Sequence, residues 1–288
     1  MNLQTRGHLA AIFTILLWGA TFISTKILLE GLSPIEILVG RFLMGYFALW
    51  VMAPHWISPR SFREEAYFIG AGATGICLYY LLENIALTYS FASNVGIMVS
   101  TAPFFTALLA PVFSHGKEKV PRRFYFGFVV ALCGISLITL SGDTLSFSPF
   151  GDFLALSAAV VWAVYSHFLD KIFSLDYPTI PATRRIFGYG ILFMLPVFFG
   201  TGDIGHLAVM FEPLYLGNML FLGFGASACC FATWNYAVKI MGPVKSGVYI
   251  YATPVVTAIL AILILHEPFT WMMAIGMGLT ILGLVLSQ

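Results

Sequence analysis

Ten stretches of mostly apolar residues, each separated from the next by a short charged or turn-rich loop, constrain this chain more than any other feature. They cover roughly residues 8–29, 34–53, 65–88, 92–114, 122–140, 149–170, 178–200, 213–238, 243–265 and 268–287. A hydrocarbon core roughly 30 Å thick is crossed by a helix of about 20 residues. In lipid each backbone polar group must be satisfied internally, so the expected fold is a bundle of packed helices. Composition supports this: 59% of the residues are hydrophobic and only 9% are charged, against about 25% in a soluble domain. Most of the surface must then face the lipid bilayer. The net charge of +1 gives nucleic acid no footing as a partner. The run from His8 to Leu29 follows Arg6, but it exceeds the roughly 7–15 residues of a signal-peptide core and reads as a retained first span.

The placement of Lys and Arg sets the expected orientation. With the N-terminus inside, Arg6, Arg60, Arg63, Lys117, Lys119, Arg122, Arg123, Lys171, Lys239 and Lys245 all fall on the cytoplasmic side. The outer loops hold none, and Lys26, Arg41, Arg184 and Arg185 fall within spans. A miscounted span would scramble this asymmetry. Both termini are therefore expected in the cytoplasm, in a multi-pass protein of the cell membrane. Cys77, Cys133, Cys229 and Cys230 lie within apolar runs and read as small hydrophobes at helix contacts, not as disulfides or metal ligands.

The chain also repeats itself. Gly7, Trp18, Pro34 and Arg41 recur 144 residues later as Gly151, Trp162, Pro178 and Arg185. Gly72, Asn84, Ala86, Gly96, Pro103 and Thr106 recur 151 residues later as Gly223, Asn235, Ala237, Gly247, Pro254 and Thr257. Glu118, Gly127 and Gly134 recur 149 residues later as Glu267, Gly276 and Gly283. Ordered runs at constant offsets define two units, residues 1–143 and 149–288. Each unit holds five spans. Five is odd, so the second unit starts on the opposite side of the membrane and the two are inverted. The expectation is an all-α integral membrane protein with ten transmembrane helices, arranged as two inverted five-helix repeats around a central cavity. Many secondary transporters are built this way.

The ordered motifs Leu17-Trp18-Gly19-Ala20-Thr21-Phe22, Pro34, Arg41-Phe42, Asn84-Ile85-Ala86-Leu87-Thr88-Tyr89-Ser90, Thr101-Ala102-Pro103, Ala252-Thr253-Pro254 and His266-Glu267-Pro268 resemble those of the drug/metabolite transporter superfamily, in particular its ten-helix EamA-type exporters. The resemblance covers nearly the whole chain as two copies of the family repeat. It departs at Trp162, which is followed by Ala163-Val164-Tyr165 where the first copy has Gly19-Ala20-Thr21. The resemblance implies export of small metabolites, often amino acids or related compounds, from a bacterial cytoplasmic membrane. The superfamily also includes uptake carriers and sugar-phosphate exchangers, so a facilitative carrier or uptake permease is the alternative.

The residues offer their own candidates. Pro103 and Pro254 sit at repeat-related mid-span positions, where proline frees the carbonyls of Val99 and Ile250; they read as hinges beside a cavity or as ordinary kinks. Trp18 and Trp162 are also mid-span, although tryptophan prefers the membrane interface. Either they wall a protected cavity or they pack between helices. Tyr79, Tyr80, Tyr165, Trp234, Tyr249 and Tyr251 could join that wall, though helical spacing forbids all of them from facing inward. Asn84 and Asn235 are repeat mates and read as substrate contacts or as interhelical hydrogen bonds. Intramembrane charges are costly and usually functional. Arg41, Glu83 and Lys26 fall in one outer-half layer, where an Arg41–Glu83 pair would offset the burial of both. Arg185 is the mate of Arg41, but Trp234 occupies the position equivalent to Glu83, so Arg185 needs water, a carbonyl, or Asp170 or Asp176 nearby. Lys26 reads chiefly as a snorkelling side chain. Glu83 is the one carboxylate well inside a predicted span and thus the candidate proton carrier.

Other function classes find little support. No metal-binding His-Glu-x-x-His motif, nucleophile elbow or phosphate loop occurs, so no catalytic residue, metal or cofactor is expected. Polar residues are isolated and form no continuous channel stripe. The partners expected are a small-molecule substrate, the bilayer and protons.

Overall fold

A computed structural model describes residues 2–90, 92–114, 120–140, 148–201, 204–265 and 270–287. All regular structure among them is helical. The first half contains α1 (Leu3–Leu28), α2 (Pro34–Met52), α3 (Phe62–Ala71), α4 (Tyr79–Tyr89), α5 (Ala92–Val99), α6 (Ala102–Phe113) and α7 (Arg122–Leu140). The second contains α8 (Pro149–Phe173), α9 (Thr179–Thr201), α10 (Pro213–Leu220), α11 (Cys230–Met241), α12 (Pro243–Gly247), α13 (Thr253–Leu265) and α14 (Trp271–Ser287). Among the described residues six helical stretches are long and apolar enough to cross a membrane: Leu3–Leu28, Pro34–Met52, Phe62–Tyr89, Pro149–Phe173, Thr179–Gly200 and Pro213–Met241. Their outward faces carry exposed Leu16, Phe47, Val51, Phe153, Leu192 and Phe199, which is the surface a lipid environment demands.

Local chemistry fixes where helices begin. Ser33 and Glu36 form a reciprocal capping box at α2, with Pro34 in the first turn. Such a box satisfies two otherwise orphaned donors. Ser148 caps α8 ahead of Pro149 in the same way on one side, accepting from the Gly151 N–H. Gly242, at φ +80°, ends α11, a conformation that glycine adopts without strain.

Two expected spans are broken. Residues 92–114 divide into α5 and α6 at Ser100-Thr101, and Pro103 lies in the first turn of α6. Residues 243–265 divide into α12, a 3-10 segment Val248–Ala252 and α13, with Pro254 again in a first turn. Pro103 thus opens a half-helix after a two-residue break, whereas Pro254 follows a 3-10 stretch through which residues 243–265 stay helical. Proline suits the first turn because its missing N–H is not needed there.

A second irregularity recurs between halves. α3 runs into α4 through a π-helical segment Gly72–Leu78, and α10 runs into α11 through Phe221–Cys229. Their ends, Leu78 and Cys229, lie 151 residues apart, and both segments fall in small-residue runs. In the first, the Tyr79 N–H bonds the Thr74 carbonyl, five residues back. One extra residue in a turn rotates everything after it by about 100°. That rotation decides which side chains of α4 and α11 face the centre.

Packing follows a reciprocal pattern. α1 packs on α11 and α8 on α4; α1 also packs on α13 and α8 on α6. α2 lies against the π segment before α11, and α9 against the π segment before α4. α2 pairs with α9 and α7 with α14. Of the cysteines, all unbridged, Cys77 and Cys230 are buried at contacts as expected, whereas Cys133 and Cys229 are exposed on the outer surface.

Candidate functional site

At the centre, where α1, α2, α4, α8, α9 and α11 converge, lies a continuous aromatic cluster. Trp18 stands edge-on to Trp162, ring centroids 5.5 Å apart, and 5.2 Å from Trp234. Trp162 is 6.2 Å from Trp234 and 4.7 Å from Tyr79. Phe231 is the hub, within 5.1 Å of Phe187, 5.6 Å of Trp18 and 6.1 Å of Tyr80. Tyr79 and Tyr80 sit immediately after one π segment, and Phe231 and Trp234 after the other, so the rotation described above aims them inward. Gly75, inside the first π segment, makes room for Tyr165: a Cβ there would stand 2.2 Å from its ring.

The polar groups of this cluster are unevenly served. The Trp18 Nε1–H donates to the Ala226 carbonyl at 3.1 Å. The Nε1–H groups of Trp162 and Trp234 have no partner among the described residues, nor has the Asn84 Nδ2. Arg41 is 98% buried; its Nε–H donates to Ser227 Oγ at 3.0 Å and its guanidinium lies over the Tyr80 ring at 4.7 Å. One terminal nitrogen of Arg41 is unpartnered. Glu83, also buried, lies within electrostatic reach of Arg41 and beside Tyr79. Among the described residues the ion pair in contact is Arg185–Glu65, so the anticipated Arg41–Glu83 pair is a near neighbour relation without contact.

Not every candidate joins the cluster. Tyr251, anticipated in the aromatic wall, packs separately with Ala107, Phe124 and Val248, because the 3-10 segment turns it toward α6 and α7. Asn235 is fully engaged between helices, its Nδ2 donating to Thr183 Oγ1 at 2.8 Å and its Oδ1 accepting from Tyr165 at 3.2 Å. Lys26 is exposed near the end of α1. Pro103 and Pro254 flank breaks in helices that pack on α8 and α1, respectively.

Arg185 lies elsewhere too. Its partner is Glu65 at 2.6 Å, neither Asp170 nor Asp176, and it also donates to the Ile57 carbonyl at 3.0 Å. Tyr189 donates to the same carboxylate. Beside it the buried Arg184 donates to the carbonyls of Ala53 and His55, both at 2.5 Å. Together they tie the segment after α2 to α9. Tyr177, between α8 and α9, donates to Glu64; partial burial and that bond raise its phenol above the ordinary range. A groove of about 400 Å³, lined by Tyr46, Trp56, Arg184, Arg185, Tyr189 and Leu192 among others, opens here. Glu65→Gln should strand the Arg185 charge. A pair of this intermediate exposure lies between surface and buried limits, so a loss of about 1–2 kcal/mol is expected. It would be read as a melting temperature a few degrees lower, with faster proteolysis between Ala53 and Arg60. An unchanged melting temperature and cleavage rate would show that the tie is decorative.

Sequence reasoning missed Phe42, Phe187 and Phe231, which look like ordinary apolar residues, and Glu65, which looks like a loop charge. The signal for Phe231 was its repeat relation to Tyr80.

The EamA-like transporter family model matches the chain twice, over residues 5–140 and 149–287. A protein of Archaeoglobus fulgidus named an uncharacterized transporter is 30% identical over 99% of this chain and 98% of its own length. A probable terminal-alkyne amino-acid exporter of Streptantibioticus cattleyicolor is 26% identical over 96% of this chain and 91% of its own. A solved crystal structure shares the fold with a TM-score of 0.77, covering 98% of this chain and 96% of that one at 19% identity. Both sequence relatives bear the names of transporters, not of enzymes. The chain is a membrane-spanning transporter and belongs to the EamA-like transporter family.

Proposed function

We propose that this protein is a secondary transporter that exports small metabolites, amino acids or related compounds, by alternating access between two inverted five-helix halves with ten spans in all. The observation that carries this reading is the reciprocal packing. Where α1 meets α11, its mate α8 meets α4, and where α2 meets one π segment, α9 meets the other. In a two-fold arrangement a contact of residue i with j is matched by one of j with i. The double family match supports the same reading, as do half-helix starts repeated at constant offset, α6 at Ala102 and α13 at Thr253. The aromatic cluster lies at the junction of the halves, where inverted-repeat carriers place their substrate. The relative named as an amino-acid exporter supports the substrate range. The broken helices at Pro103 and Pro254 would act as hinges, and the proton is the candidate coupling ion.

Two measurements test this. Proteoliposomes should show saturable, stereoselective flux of a small organic solute; linear, non-saturating flux would point to a channel. On a background lacking the native cysteines, Glu30→Cys should label from outside the cell and Arg60→Cys only after permeabilisation. Both positions are exposed. External labelling of Arg60→Cys would overturn the cytoplasmic placement of both termini in the cell membrane and the span count with it.

A further inference from the structure

We propose that Arg41 and Asn84 form a carboxylate-binding end of the central site, and that the solute carried there bears a carboxylate. The inference rests on the transporter reading above and adds the chemistry of its site. It starts from the unpartnered buried atoms. Outside the α2 cap (Glu36) and the separate cluster holding Tyr251, all of them are nitrogens: Arg41 NH2, Asn84 Nδ2, Trp162 Nε1 and Trp234 Nε1. Each belongs to a side chain at least 97% buried. A buried donor left unpaired costs about 1–3 kcal/mol. Four donors with no acceptor among them make a set that an acceptor from outside the protein would complete.

The sequence explains why these donors are unspent. Arg185 and Asn235 are the repeat mates of Arg41 and Asn84, and both are consumed in structure. Arg185 is neutralised by Glu65, and Asn235 donates to Thr183. The residue 151 positions after Glu65 is Leu216, and the residue 144 positions before Thr183 is Val39. Neither can accept a hydrogen bond. Deprived of a carboxylate on that turn, Arg41 swings to Ser227 and the face of Tyr80. The mate of Ser227 is Ile76, so Arg185 has no such alternative. Thus one half spends its arginine and asparagine on holding helices together. The other keeps the same two groups buried, adjacent to the aromatic cluster, with N–H bonds to give.

A guanidinium with a free edge over the Tyr80 ring, and an amide donor one helical turn beyond that tyrosine on α4, match a planar anion with two acceptor oxygens. The indole and phenol rings would take the apolar remainder of the solute, as in pockets lined by apolar groups with a few placed polar ones. Glu83 is within electrostatic reach of Arg41, so it competes with an entering anion, and its removal should tighten binding.

The test uses the purified full-length protein and four probes, hexanoate, 3-phenylpropionate, leucine and phenylalanine, each against its primary amide. Melting temperature and tryptophan fluorescence report binding, since a ligand of the folded state raises its stability. At least one acid should bind, with its amide tenfold or more weaker. Arg41→Gln should lose at least tenfold for that acid. Val39→Thr, which offers Asn84 the hydroxyl that Asn235 already has, should weaken it several-fold while the fold is kept. Glu83→Gln should tighten hexanoate and 3-phenylpropionate. The proposal is overturned if amides bind as well as acids, if no acid binds, or if Arg41→Gln and Val39→Thr both bind as the parent does. Should Arg41→Gln fail to fold, Val39→Thr alone decides. Flux in proteoliposomes separates the two readings: saturable flux with no preference for acids removes the subsite and keeps the carrier, whereas acid binding with no saturable flux of any solute removes the carrier and keeps the subsite.

Discussion

Gly276→Val should lower the melting temperature by roughly 10 °C, while Gly278→Val, two residues along the same helix, should leave it within about 1–2 °C of the parent. The contrast comes from the contact between α7 and α14. A Cβ on Gly276 would lie 2.7 Å from the Gly134 carbonyl oxygen and 2.8 Å from the Ile138 nitrogen, both backbone atoms. The same is true in reverse: a Cβ on Gly134 would lie 2.4 Å from the Thr280 nitrogen. Backbone cannot rotate aside as a side chain can, so the helices must separate along their length. Overpacking of this kind costs about 1–3 kcal/mol or more, and about 3 kcal/mol moves the midpoint of a chain of this size by some 6–12 °C. Gly278 has open space around its Cβ direction, so valine there only adds apolar surface facing outward. Small residues drive close helix association in membranes, and here Gly134 meets Gly276 while their repeat mates, Gly283 and Gly127, meet each other. Equal melting temperatures for the two variants would show that α7 and α14 do not meet through this face in the membrane.

What the sequence makes legible here is whatever depends on local pattern and on duplication. Runs of apolar residues mark the helices, and constant offsets mark the corresponding elements, because both are written in consecutive residues. The proline positions show where two helices would be irregular. They do not show that one helix is interrupted at Ser100-Thr101 while the other is only tightened into a 3-10 stretch, because that depends on how far the chain before each proline can unwind. Which side chains face the centre is less legible. Trp18, Trp162 and Trp234 meet as their depth suggested, yet Tyr251 faces α6 and α7. A straight-helix projection fails for a residue inside a 3-10 turn and for every residue after a π segment, since each changes the angular position. The partners of Arg185 are illegible for another reason. Glu65 lies 120 residues away on the other half, and long side chains reach partners that neither depth nor sequence proximity identifies. Asn84 and Asn235 were equal candidates in sequence; Asn235 donates to Thr183, whose repeat position in the first half is Val39, a residue with no hydroxyl, and the Asn84 Nδ2 is unpartnered.

Glu83→Gln should abolish uphill, proton-driven accumulation in proteoliposomes, bringing the accumulation ratio to one, yet preserve exchange of substrate between equal compartments. The reasoning is electrostatic. Glu83 is buried on α4 within reach of Arg41 on α2, and the two helices belong to parts of the bundle that alternating access would move. A carboxylate in a dry interior is stabilised in its charged form by a nearby guanidinium and loses that support when the guanidinium withdraws. If the Arg41–Glu83 separation differs between the inward- and outward-open states, the proton occupancy of Glu83 differs with it, and that difference couples the proton gradient to movement of the solute. Glutamine keeps the shape and hydrogen-bonding capacity of the side chain while removing the titration, so exchange, which needs no net proton movement, should survive. Arg41→Gln alone should be far more disruptive than the double variant, because it strands a buried carboxylate. The pair made together avoids leaving either charge unpaired and separates coupling from folding. Intact uphill transport in Glu83→Gln would make the residue a structural neighbour of Arg41 and assign the driving force to another ion or to the solute gradient alone.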